Sequence, residues 1–134
     1  MNLLPALLNG FSQVFLQENQ FFGALIAVGL AIASPISFGL GLVGFLASVI
    51  TAHLLGVKNT ILNSGLYSFN GLLIGVVVFF YIKNITYATT LTIIASIFAA
   101  LLFYFMSKSN IPAFTTPFVL VGWTALILSR FLIK

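Results

Sequence analysis

The chain has 134 residues, 61% hydrophobic and 4% charged, with a formal net charge of +4 and no cysteine. A soluble domain carries about 25% charged residues, so this composition cannot cover a water-facing surface and makes the chain an all-α integral membrane protein. The five basic residues are scattered over loops and the C-terminus and form no patch, so no nucleic-acid partner is expected. Without thiols there is no disulfide framework, thiolate chemistry or Cys-ligated metal.

In chain order, Leu3–Leu16 is the first apolar block, interrupted by Asn9, Gly10, Ser12 and Gln13. About 14 residues reach only about 21 Å as a helix, against a hydrocarbon core of roughly 30 Å. A tilted or re-entrant helix, tolerated where it is buried in protein or lines a cavity, fits better. No positive n-region or cleavage site precedes Phe21, so Met1 is expected to begin the mature chain. Phe21–Ala33 follows, stops at Ser34-Pro35, and is short for a span unless its helix runs back towards Glu18. Ile36–Leu55 reads as a full span, rich in glycine (Gly39, Gly41, Gly44) and closed by His53 and Gly56. Val57–Ser64 reads as a polar loop. Gly65–Ile82 and Tyr87–Met106 are further spans, ended by Lys83-Asn84 and Lys108. Ser109–Pro117 is a proline-broken loop, and Phe118–Leu132 is the last span. The expectation is five transmembrane helices preceded by one short re-entrant helix, within a single membrane domain over residues 1–134.

An odd number of spans bears on orientation. If the Lys58 loop defines one membrane face, Lys108 shares it, while Lys83, Arg130 and Lys134 lie on the other. The α-amino group, on the Lys58 face if the first helix is re-entrant, brings the positive charge to parity. The positive-inside rule then specifies almost no orientation, which hints at dual topology.

One acid and one histidine supply no carboxylate pair, ordinary metal site or Ser-His-Asp arrangement. No enzymatic activity and no cofactor are expected. What remains are neutral polar residues in apolar surroundings. Gln13 lies on the segment too short to span. Asn70 lies inside a span, where a helix–helix hydrogen bond is the plain structural explanation. Thr115, between Pro112 and Pro117, would on the same footing be a helix cap. Such groups suit a neutral polar solute better than an ion, which usually meets charged rings or a carbonyl filter. Glu18 is the only acid, set among Gln13, Gln17, Asn19 and Gln20 in SQVFLQENQ. A carboxylate at the bilayer centre costs about 2.5–3.5 kcal/mol on insertion scales, so an interface or the start of the next helix is the plain reading. A pore-mouth acceptor or a proton-coupling group is the functional one. His53 reads as interfacial. Gly71 and Gly75 in GLLIG have the spacing of close helix packing.

Three segments resemble the urea transporter family. SQVFLQEN followed by FFGALI is similar to the opening of a repeat, Gln-Val-x-Phe, a polar turn, then Gly-x-Leu-Ile. SGLYSFNGLLIG over Ser64–Gly75 resembles its Gly-Leu-Tyr/Trp-Gly-Phe/Tyr-Asn segment. IPAFTTPF over Ile111–Phe118 resembles its Leu-Pro-x-x-Thr-x-Pro-Phe signature. The resemblance implies passive, channel-like passage of urea or a closely related small amide. Gln13 and Thr115 would present oxygens to the solute's N–H groups in a slot walled by flat aromatic and aliphatic side chains. Carried onto this sequence, the pore set is Gln13, Leu16, Glu18, Phe69, Asn70, Leu73 and Thr115. Leu16 stands where the family commonly has Phe, and Asn19-Gln20 where its turn usually holds Asn-Pro.

Members of that family hold two such repeats, inverted relative to each other, and this chain holds one. Two copies inserted in opposite orientations would restore the inverted architecture, an antiparallel homodimer with Gln13 from each chain at opposite ends and both Thr115 side chains near the middle. Because the family assembles as trimers, a hexamer built as a trimer of dimers is implied. The partners are then urea, the lipid bilayer and the chain itself, in the cell membrane, of the bacterial inner-membrane type. The competing readings are a small dual-topology proton-coupled exporter using Glu18, and an assembly subunit without a pore.

Overall fold

The computed structural model describes residues 3–13, 18–111 and 116–132. Among these every regular element is helical: α1 (Leu3–Gln13), α2 (Gln20–Ala33), α3 (Pro35–Leu54), α4 (Asn59–Asn63), α5 (Ser68–Tyr81) and α6 (Ile85–Lys108). A π-helical segment, Phe118–Gly122, leads into α7 (Trp123–Leu132). Three helical stretches are long and apolar enough to cross a membrane: Pro35–Leu54, Asn59–Tyr81 and Ile85–Lys108. Gln20–Ala33 and Phe118–Phe131 are apolar but shorter.

Helix starts follow local chemistry. Asn19, Ser34 and Asn84 each sit in extended backbone, and each side-chain oxygen accepts the N–H of the third residue on, satisfying one donor that the first turn leaves open. Pro35 follows its cap at the first helical position, where a missing N–H costs nothing. α2 starts at Gln20, so it does not run back to Glu18, and its 14 residues reach about 21 Å.

One expected loop is largely helical. Residues 59–63 form α4, and the tight turn to α5 makes Asn59–Tyr81 one continuous apolar unit. The polar residues of this stretch face two ways. Lys58 and Asn59 are exposed, whereas Leu62 and Ser64 are buried. Gly65 makes the turn possible, with φ +83°, a conformation that only glycine adopts cheaply. Its Cα also lies against the backbone of Asn9 and Gly10.

The core is the α3–α5 crossing, with α6 beside both. A Cβ on Gly71 would overlap Ser48 Oγ and the Gly44 carbonyl, and one on Gly75 would overlap the Leu40 carbonyl. The two backbones are therefore in contact through small residues, the association expected where lipid removes the hydrophobic drive between helices. Ser48 Oγ also donates to the Ser96 carbonyl at 3.4 Å, tying α3 to α6. α6 closes in through Ala88, Ala95 and Ala99, which pack with Leu40, Ile74 and Val78. α1 lies against α2 and α5, with Phe11 stacked on Phe38 of α3 at 6.0 Å between centroids.

Candidate functional site

The first polar centre lies where α1 meets the α4–α5 turn. Asn9 and Gln13 are four residues apart and so share one face of α1. Their amide groups donate to consecutive carbonyls: Asn9 Nδ2 to Asn63 O at 2.8 Å, and Gln13 Nε2 to Ser64 O at 3.0 Å. Ser68 Oγ reaches Ala6 O at 3.5 Å, one turn towards the start of α1. Both amides are buried, Asn9 at 4% and Gln13 at 7% exposure. Each NH₂ group is committed to the turn, which sets the direction in which the oxygen of the same amide points. An acceptor fixed in orientation by its own donor is suited to a solute rich in N–H groups. Glu18 is exposed in the connection to α2. The next residue anchors that connection, Asn19 N–H donating to Ser12 Oγ at 3.1 Å while Asn19 Oδ1 accepts from Phe22 N–H.

The second polar centre joins α5 to the last span. Asn70, 1% exposed, accepts the Phe118 N–H on Oδ1 at 2.9 Å, across 48 positions of sequence. The helix–helix explanation for Asn70 thus holds in a specific form: it caps the start of the π-helical segment. From that point the last span runs parallel to α5. Gly122 sits beside Ile74, and Tyr81 and Arg130 line the far end of one groove between the two. The groove, about 400 Å³, is walled mainly by apolar side chains including Phe118, Trp123 and Leu126.

The two centres lie on opposite sides of α5. Ser68 and Leu72 face α1, while Asn70, Ile74, Val77 and Tyr81 face the last span. At 100° per residue these sets are about half a turn apart. The remaining wall candidates are set elsewhere. Phe69, 1% exposed, packs with Ala52, Leu62, Tyr67 and Phe103, and Leu73 lies against the same cluster. Within one chain Phe69 therefore fills the α3–α6 side of the core and is not brought to Gln13. Leu16 and Thr115 lie outside the described residues. Asn9 was not among the expected site residues; its four-residue spacing from Gln13 was the signal that could have marked it.

Removing the Asn70 oxygen should loosen the last span. Asn70→Leu leaves the Phe118 N–H without its acceptor, a cost of about 1–3 kcal/mol, and should lower the thermal midpoint of the purified protein in detergent. Asn70→Asp, which keeps an oxygen at that place, should lose less.

This is a polytopic helical membrane protein in which, among the described residues, the buried amides of Asn9, Gln13 and Asn70 sit at helix junctions. The urea transporter family model (UT) matches residues 4–132. Urea transporter 1 of Ovis aries is 32% identical over 118 residues, 83% of this chain and 31% of the relative. Urea transporter 1 of Mus musculus is 30% identical over 125 residues, 88% of this chain and 33% of the relative. The chain belongs to the urea transporter family, and it spans about a third of the length of the curated relatives it matches.

Proposed function

We propose that the chain is half of a passive channel for urea, or a closely related small neutral amide, completed by a second copy inserted upside down. The reading takes α2, α3, Asn59–Tyr81, α6 and Phe118–Leu132 as five spans of one repeat, with α1 as the short re-entrant helix. Three such dimers around a common axis would make the hexamer. Membership of the urea transporter family supports the solute, and the placement of the polar centres supports the pairing. The observation that carries the pairing is that Gln13 and the Asn70–Phe118 junction lie on opposite sides of α5. A single chain cannot bring these two surfaces to one solute path, whereas an inverted copy lays the α1 side of one chain against the α5–α7 groove of the other. Thr115, the other residue that the family resemblance puts on the path, precedes Phe118 by three positions in the sequence.

Urea has four N–H donors on a flat frame, so a narrow path edged by carbonyl and hydroxyl acceptors replaces its hydration. A hydrated ion finds no charge there to replace its water. Uptake of labelled urea by cells expressing the chain tests the reading. The expected result is uptake well above that of cells without it, with no energy requirement; uptake equal to the empty cells would overturn it.

The exporter reading relies on Glu18, which is exposed outside the helices instead of buried mid-span, where coupling acids belong. Urea flux should therefore be unchanged by an imposed pH gradient, in both the native chain and Glu18→Gln. A gradient-dependent flux lost in Glu18→Gln would restore the coupled mechanism.

A further inference from the structure

We infer that Glu18 of one copy pairs with Arg130 of the inverted copy, an ion pair that closes the dimer at each membrane face; this rests on the inverted-pair reading above. Glu18 is the only acid in the sequence and Arg130 the only arginine. Within one chain they lie at opposite ends. Glu18 follows the helix that Gln13 fastens to Ser64, at the start of the Asn59–Tyr81 span. Arg130 lies twelve residues beyond Phe118, roughly 18 Å further along, where it shares a groove with Tyr81 at the end of that span. Glu18, the one acidic side chain, lies at the other end of that span. Inverting one copy puts Glu18 on the face that carries Arg130, and two-fold symmetry then makes the same pair twice.

The choice of cation follows from what each already touches. Lys83, on the same face, holds its Nζ over the Phe79 ring at 4.6 Å and the Phe80 ring at 5.9 Å. Arg130 instead lines the mouth of the apolar groove, the surface on which the α1 side of the inverted copy would lie. A planar guanidinium grips a carboxylate through two parallel bonds, which a lysine cannot. The same pair accounts for an acid in a stretch otherwise made of amides: a charge placed there selects the inverted partner, because in a parallel pair Glu18 meets only the face of Lys58 and Lys108.

The chain has no cysteine, so the pairing is testable by crosslinking in the otherwise native protein. Gln20→Cys beside Glu18 and Ile127→Cys in the groove are put into two differently tagged copies, expressed together and treated with a short bis-maleimide. Both changes leave every lysine and arginine in place, so the orientation bias is untouched. The expected product joins the two tags. Its yield should fall roughly three- to fivefold when Glu18→Gln is added, the loss of one partly solvated ion pair, and Arg130→Lys should give an intermediate fall. A mixed product indifferent to Glu18→Gln, or one lowered by Lys83→Gln and not by Arg130→Gln, would overturn the pair while leaving the inverted dimer standing. Products joining only like positions, with Asn59→Cys labelled from one membrane face alone, would overturn both.

Discussion

Gly71→Val should abolish the folded protein. The Cβ alone would overlap Ser48 Oγ and the Gly44 carbonyl, and a β-branched side chain adds two methyl groups where two backbones already touch. Ser48 Oγ could turn aside, but the Gly44 carbonyl is backbone, so α3 and α5 must separate. Overpacking typically costs about 1–3 kcal/mol and more where backbone must move, against the ~5–15 kcal/mol that holds a typical fold. The measurement is recovery of monodisperse protein after detergent extraction, expected to fall to near nothing. Gly39→Val is the matched control, because a Cβ on Gly39 meets nothing within 4 Å; it should extract normally. Equal recovery of both variants would mean that the α3–α5 contact is looser than described.

Gln13→Ala should cost the largest share of transport. The change removes the oxygen proposed to meet the solute and leaves the Ser64 carbonyl without its 3.0 Å donor. Losing one acceptor on a desolvated path is worth about 1–3 kcal/mol, so flux should fall by roughly 5- to 150-fold. Gln13→Glu separates the two roles: it keeps an oxygen but sets a carboxylate against the Ser64 carbonyl. It should therefore lose thermal stability as well as flux, while Gln13→Ala loses flux beyond what its smaller change in stability explains. Flux in Gln13→Ala equal to the native value would remove Gln13 from the path.

The long elements were legible because their ends are marked. Expected spans over Ile36–Leu55 and Tyr87–Met106 correspond to Pro35–Leu54 and Ile85–Lys108, each an apolar run bounded by Pro, Asn, His or Lys. The stretch Val57–Ser64 misled, since Lys58, Asn59 and Asn63 read as a loop. Burial of Leu62 and a single glycine turn nevertheless let it wind into the following helix. Gly71 and Gly75 announced a close contact, but the identity of the facing residues, Leu40 and Gly44, is set by helix direction and no local signal carries it. For the site, resemblance and polarity picked out Gln13 and Asn70. What each holds, Ser64 across 51 positions and Phe118 across 48, is a product of tertiary packing. The same packing puts Phe69 in the core of its own chain, against Ala52, Leu62, Tyr67 and Phe103.

On the inverted-pair proposal, copies of this one chain suffice for a urea pore. Stopped-flow urea flux into proteoliposomes containing only the purified chain tests it most directly. Fast flux is expected in proportion to the protein incorporated, insensitive to a pH gradient and lost in Gln13→Ala. Flux no greater than that of protein-free liposomes, from a preparation shown to be folded and dimeric, would contradict it.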